Sequence, residues 1–292
     1  MPSSSDSSVH HTRLSILVVG GGIAGLTAAL ALRHQGHTVR VLESSSWLRE
    51  TGAAVILANN ASIALLSLGL DPERDIKAAR FQNALDYYLK EGEVPVFGEG
   101  GSGVQLPWVE MARTRFEGRY FMAHRVDLHQ ALVEKCVDPH LNLNANDAAA
   151  TAEAETATSG PPVEVIRAER VVGWERAASH GTVRLHDGQE FQADLVVAAD
   201  GIHSLAHVEV VGREVAVVPS GVSTTRFMLD TTEILEDPVT APIMDDGDGC
   251  LVFYYTPSRK SVLMRYPCHR YVLPPPLFSS LNRTICGSSQ RN

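Results

Sequence analysis

Apolar positions near the start of the chain fall into three blocks. Ile16 to Val19 is an unbroken apolar run, Ile23 to His34 is rich in Ala and Leu, and Thr38 to Leu42 is apolar again and ends at Glu43. Short apolar runs predict buried strands and the longer block predicts a helix, giving the order strand, helix, strand. Gly36 and His37 punctuate the helix end. Asn59 to Leu68 places Ala61, Ala64, Leu65 and Leu68 on one face and predicts a short helix closed by Gly69. From Gln82 to Phe97 the pattern turns strand-like around Glu91-Gly92. Asp127 to Val137 returns to helical spacing, with Leu128, Ala131, Leu132 and Lys135 in step. Val163 to Trp174 and Thr182 to His186 predict strands, Asp187-Gly188 a turn, and Phe191 to Ala199 a strand running into Asp200-Gly201. Val215 to Leu229, Leu251 to Tyr255 and Ser261 to Tyr266 read as strands of a second sheet, with a turn-rich acidic connection at Asp237 to Gly249.

Two stretches break the rhythm. Asn142 to Pro162 is Ala, Thr, Glu and Asn ending in Gly-Pro-Pro, and reads as a flexible insert. Pro274-Pro275-Pro276 excludes regular structure locally, and Leu277 to Asn292 predicts no element. The expected class is α/β: a Rossmann-like nucleotide-binding domain with a second, mainly β domain inserted into it. The expected boundaries are a disordered tail over 1–12, the nucleotide domain over 13–80 and 111–212 with the insert at 142–162, the second sheet over 81–110 and 213–272, and an irregular tail over 273–292.

Composition narrows the function classes. At 292 residues, with 44% hydrophobic and 20% charged positions, the chain is sized for two globular units. A net charge of −9 and the absence of a basic cluster argue against a nucleic-acid partner. The 4 cysteines are scattered and form neither a disulfide framework nor a zinc spacing, so no metal is expected. Leu14 to Leu32 lacks formal charge, yet its glycines fall at nucleotide-loop spacing, which favours that loop over a membrane anchor. The expected setting is the cytoplasm.

Candidate chemistry starts at Gly20-Gly21-Gly22-Ile23-Ala24-Gly25. Gly20 suits the tight turn, Gly22 leaves room for a pyrophosphate, and Gly25 lets the helix pack closely on the strand. The helix start offers unpaired N–H groups and a positive dipole end to the phosphates. Glu43, closing the second strand, can accept hydrogen bonds from a ribose. His203 and His207 read as ordinary surface or packed histidines, because no cysteine or carboxylate stands at ligand spacing.

Four segments in order resemble the flavin-dependent aromatic-ring monooxygenases, the group of salicylate hydroxylase and p-hydroxybenzoate hydroxylase. They are the glycine loop with Glu43; Leu48 to Val55 with Asn59-Asn60-Ala61; His124 to Leu132; and Ala199-Asp200-Gly201-Ile202-His203-Ser204. The resemblance spans about residues 14 to 270. It implies FAD as cofactor and NADPH or NADH as transient co-substrate, with O2 and a small aromatic substrate, the reaction being hydroxylation of a phenol. Gly20, Gly22, Gly25 and Glu43 would hold the ADP half of FAD. The backbone near Ala53 would approach the flavin, Arg125 would contact FAD, and Asp200 would serve FAD and the nicotinamide cofactor. In the second sheet Arg226 would bind a phenolate or carboxylate. Tyr255 or Tyr254 would hydrogen-bond the substrate, and period 2 puts the two tyrosines on opposite faces.

The sequence departs from that family in four places. Ala54 stands where glycine is common, His207 stands where an arginine is expected, and the 142–162 insert is extra. The sequence also contains no later Gly-Asp-Ala-Ala-His type motif, so it reads as a truncated product expected to turn over little. Two other readings stay open at this level: an NAD(P)-binding oxidoreductase of another class, and a non-catalytic flavin-binding fragment. Oligomeric state is not written in the sequence.

Overall fold

The computed structural model describes residues 12–46, 54–81, 83–88, 104–105, 120–139, 159–176, 180–214, 216, 218–244, 250–255, 261–268 and 278–286. The strands in chain order are β1 (Ser15–Val19), β2 (Thr38–Glu43), β3 (Ala54–Leu57), β4 (Ala79–Arg80), β5 (Asn83–Tyr88), β6 (Val104–Gln105), β7 (Phe121–His124), β8 (Glu164–Arg167), β9 (Val171–Arg176), β10 (Gly181–Leu185), β11 (Glu190–Ala193), β12 (Leu195–Ala198), β13 (Val222–Asp230), β14 (Cys250–Tyr255), β15 (Ser261–Pro267) and β16 (Phe278–Cys286). The helices are α1 (Ile23–His34), α2 (Asn59–Ser67), α3 (Arg125–Val137), α4 (Ala206–Val211) and α5 (Thr231–Glu236), with 3-10 turns at Gly201–His203 and Ala241–Met244. The chain divides by packing into two units, Met1–Leu48 with Val133–Val215, and Arg49–Leu132 with Ala216–Asn292. The described residues 54–80 and 120–132, expected with the nucleotide domain, group with the second unit.

In the first unit β1 pairs in parallel with both β2 and β12, and β8 extends the sheet beyond β2, in the order β12-β1-β2-β8. Ile16, Leu17, Val18 and Val19 are all buried, as a central parallel strand covered on both faces requires. An antiparallel sheet, β11-β10-β9, packs Val183, Leu185 and Ala193 against Leu17, Val19 and Leu42. Two expectations need correction here. Val163 to Trp174 is two strands: the chain breaks at Ala168, whose φ is +65°, and crosses from the parallel sheet to the antiparallel one. Phe191 to Ala199 likewise splits into β11 and β12, which belong to different sheets.

One buried cation organises the back of this unit. Arg33, in the last turn of α1, is 1% exposed. Its guanidinium donates to the Lys135 and Cys136 carbonyls at 3.0 Å, to the Asp138 carbonyl, and to Gly160 O at 3.2 Å. Gly160 N–H returns a bond to Arg33 O at 2.7 Å. Arg33 therefore does the work of a C-cap for α3, satisfying carbonyls a helix end leaves orphaned. A side chain at Gly160 would come within 2.1 Å of His37 O, so glycine is required there. His34 beside it has a buried Nε2 with no hydrogen-bond partner among the described residues. Burial, then the Arg33 and Lys135 charges, hold its pKa below the usual 6.5.

The second unit holds a six-stranded sheet, β13-β16-β15-β14-β5-β6, and a three-stranded antiparallel sheet, β3-β7-β4. All pairs in the larger sheet are antiparallel except β14 with β5. Leu251, Phe253, Met264 and Tyr266 pack against Ala54, Ala79, Phe81 and Met122. On the opposite face Cys250, Val252 and Tyr254 pack under Ile234 of α5 and Ile243. β16 corrects the expectation of an irregular tail: its backbone pairs along its whole length with β13 on one side, and from Ser279 to Ile285 with β15 on the other. Its apolar positions, Phe278, Leu281 and Ile285, carry no period of two. Both neighbours supply a ladder, and that outweighs the weak local pattern.

Two outcomes follow from the Arg33 region. Asp138 and Gly160 are fastened to the same guanidinium, so replacing residues 142–157 with a short Gly/Ser link should leave the melting temperature nearly unchanged. Arg33→Met should lower stability by roughly 3 kcal/mol through unpaired buried carbonyls; calorimetry or thermal melts compare the two. Separately, an imidazole with a depressed pKa in the folded state makes stability full above about pH 6.5 and diminishing as pH falls through the folded value, because the unfolded chain takes the proton first. Thermal melts from about pH 7 to about pH 5 should therefore fall less steeply for His34→Gln than for the parent chain.

Candidate functional site

The site is built where β1 turns into α1. Gly20 has φ of +104°, and a Cβ there would lie 2.4 Å from Ala199 O and 2.9 Å from the Asp200 Cα. A Cβ on Gly25 would meet Gly20 O at 1.9 Å and the Ala199 side chain at 3.3 Å. These two glycines are thus required by packing within the protein. Gly22 differs. It is the N-cap of α1 with extended backbone, and a Cβ on it would meet nothing within 4 Å. Open space lies in front of Gly22, where room for a diphosphate was expected. No acidic residue stands in the first turn of α1, and Arg33 and His34 stand in its last, so the helix field is positive at the turn.

The strand ends fix the surroundings. Gly20 N–H donates to Leu42 O at 2.8 Å, and Ala199 N–H to Val19 O at 2.8 Å. Glu43 is half-buried at the end of β2. Its Oε2 accepts from Gly21 N–H at 2.7 Å and its Oε1 from Ser45 N–H at 2.6 Å. The acid is thus tied to the glycine loop itself, an arrangement that spacing alone did not show. Ser44 Oγ also donates to Oε1 at 3.3 Å, so the lone-pair capacity left for a further donor such as a ribose hydroxyl is on Oε2.

Asp200 follows β12 and precedes Gly201, whose φ is +83°. Asp200 Oδ1 is buried and accepts no hydrogen bond among the described residues. Such an atom is costly unless a ligand or water completes it. Downstream, His207 in α4 directs Nδ1 to the Ser204 carbonyl, a local backbone contact. Glu169, which no motif singles out, lies just past β8, and its backbone N–H donates to Glu43 O at 2.9 Å. No residue pattern marks it, because its position depends on β8 pairing with β2 from far along the chain.

Gly20, Gly22, Gly25, Glu43 and Asp200 are therefore brought together at the carboxyl ends of β1, β2 and β12. The other candidates belong to the second unit. Ala53 lies outside the described residues. Arg125 opens α3 and is half-buried, and Asp127 two positions on contacts the His124 ring at 3.3 Å. Arg226 is exposed on β13. Its register row runs through Asn282 and Met264 to Phe253. Tyr255 shares that face and stacks on Phe253 with centroids 6.2 Å apart. Three strand spacings separate β13 from β14, roughly 14 Å, so Arg226 and Tyr255 do not flank one small group. Tyr254 turns to the other face and stacks on Tyr87 at 5.4 Å.

Thiol chemistry is disfavoured at Cys136 and Cys268. Burial pushes Cys136 and Cys268 up to about 12, Arg33 opposing the shift at Cys136 and Asp127 adding to it at Cys268. Among the described residues no group of three or more His, Cys, Asp or Glu is arranged to hold a metal ion. No described helix is long and apolar enough to cross a membrane.

Comparison with known proteins fits this geometry. Residues 13–272 match the family described as FAD binding domain. Hispidin-3-hydroxylase of Neonothopanus nambi is 32% identical over 216 residues, covering 74% of this chain and 44% of that protein. 3-Hydroxybenzoate 6-hydroxylase of Klebsiella oxytoca is 28% identical over 240 residues, covering 82% of this chain and 53% of that protein. The chain spans about half the length of these relatives. Among solved structures, Klebsiella pneumoniae HpxO complexed with FAD and uric acid shares the fold, with a TM-score of 0.63 at 18% identity over 93% of this chain and 57% of that one. The residues present fit FAD: the turn leaves the space before Gly22 open, and Asp200 Oδ1 is buried and lacks a donor.

The glycines should separate on substitution. Gly20→Ala should cost at least about 2 kcal/mol of stability, from a strained φ and a backbone clash. Gly22→Ala should melt like the parent chain and bind FAD more weakly, because its methyl projects into the open cradle. Paired thermal melts and flavin fluorescence titrations read both.

Proposed function

This chain belongs to the FAD-binding-domain family of flavin-dependent aromatic monooxygenases, and on that premise we propose that its protein hydroxylates a small phenolic or other aromatic substrate with NADPH or NADH and O2. The observation that carries the reading is the cradle at the end of β1, open at Gly22 and bordered by a buried Asp200 oxygen with no donor. When bound, FAD supplies the redox chemistry that activates oxygen. The chain's own residues supply binding and orientation.

The N–H groups at the start of α1 receive the diphosphate. Glu43 accepts from ribose hydroxyls while it keeps the loop in shape through Gly21 N–H. Asp200 Oδ1 takes a donor from the cofactor, which removes the cost of its burial. The guanidinium of Arg125 suits phosphate or the carbonyl-rich edge of the flavin ring. In the second unit Tyr255, stacked on Phe253, offers an aromatic wall and a phenolic O–H to the substrate ring. Arg226, on the same sheet face but at its edge strand, is suited to an anionic substituent or to attracting anionic substrates. A cytoplasmic setting, where nicotinamide cofactors are supplied, goes with this reading.

The test begins with binding. The purified chain titrated with FAD should quench flavin fluorescence at one equivalent, and NAD should not displace the flavin. Binding of NAD without FAD would favour a dehydrogenase instead. NADH and NADPH oxidation is then followed with and without a panel of phenols. Stimulation by a phenol, together with a hydroxylated product, supports the hydroxylase. Flavin binding with no phenol-dependent oxidation would leave a flavin-binding module.

A further inference from the structure

The order β12-β1-β2-β8 lays out a path for an extended ligand. Ligands of such sheets lie outside the carboxyl ends of the strands. The diphosphate cradle is at the end of β1 and the ribose acid, Glu43, is at the end of β2. The next station outward is the end of β8, where Arg167 sits in register with Glu43.

Three observations meet there. Ala168 holds φ of +65°, a left-handed backbone that costs a non-glycine residue and recurs at ligand sites. The turn is fastened to the segment carrying the ribose acid: Ala168 N–H donates to Ser45 O at 3.4 Å and Glu169 N–H to Glu43 O at 2.9 Å. Glu169 Oε2 is buried and accepts no hydrogen bond among the described residues. A carboxylate offers acceptors only, so whatever completes it must bring a donor.

We propose that Glu169 reads the base of the dinucleotide by accepting a hydrogen bond from the exocyclic 6-amino group of adenine. The assignment rests on the FAD reading above. Glu43 already takes N–H donors from Gly21 and Ser45 and faces the sugar; Glu169, one strand further out, faces the base. An amine at the 6-position satisfies the orphaned oxygen. A carbonyl there, as in hypoxanthine, sets two acceptors against each other and is rejected.

ADP and IDP share ribose and diphosphate and differ in the base, so they are the probes, measured by calorimetry on the whole chain. The parent chain should favour ADP by about tenfold, the worth of one hydrogen bond to a charged acceptor. Glu169→Ala should bring the ratio near one while ADP still binds. Glu169→Gln, of the same shape, should narrow the ratio, because an amide can accept from an amine or donate to a carbonyl; it carries the test if the alanine variant does not fold. A parent chain without preference, or a preference unchanged in both variants, overturns the assignment while flavin binding stands. A parent chain that binds neither ADP nor FAD overturns the flavoprotein reading and this assignment with it.

Discussion

Backbone pressed on backbone at the β1–α1 turn governs the first unit. Gly20 lies against the Ala199 carbonyl, and Gly25 lies against the Gly20 carbonyl, with no room for a methyl group at either glycine. That closeness draws α1 onto the sheet and sets the direction in which its first N–H groups point. It also joins the first strand to one far along the sequence, because Ala199 directly follows β12. The open volume at Gly22 exists because its neighbours are so tightly held. A looser turn would let the helix start drift and would blur the donors that recognise a phosphate.

Glu43 shows how a ligand-binding group also serves the fold. Its two oxygens hold Gly21 and Ser45 by their N–H groups. A carboxylate held in this way keeps its orientation, so little rotamer freedom is lost when a sugar arrives. The second unit is arranged differently. Its aromatic side chains sort by strand parity: Tyr254 and Tyr87 go into a closed apolar layer, and Phe253 and Tyr255 go to the opposite face. Parity assigns each side chain to a face; α5 packs on one, and the β3-β7-β4 sheet packs on the other around Phe253.

The legible part of this structure was the part written in consecutive residues. The β1–α1–β2 order, the roles of Gly20, Gly22 and Gly25, and the helices over 59–67 and 125–137 follow from periodicity and glycine placement. The strands over 250–255 and 261–267 follow in the same way. What escaped depends on partners distant in sequence. The break at Ala168 is invisible because both flanking segments are equally strand-like, and only their different sheets separate them. α5 is short and starts from an Asp230 cap that accepts from Thr232 N–H at 2.8 Å, a signal easily absorbed into the preceding strand. β16 carries polar residues at most positions and is held by its two neighbours. Arg226 was chosen for its chemistry, and its edge-strand exposure is a property of strand order that no local pattern encodes.

The pairing of β5 with β14 has a consequence for how the protein comes into being. These strands run in the same direction side by side, yet β5 lies at Asn83–Tyr88 and β14 at Cys250–Tyr255, far apart in sequence. The larger sheet cannot close until β14 has left the ribosome, and until then the apolar residues of β5 wait without that neighbour. Such late, long-distance pairing slows folding and leaves nascent chains sticky.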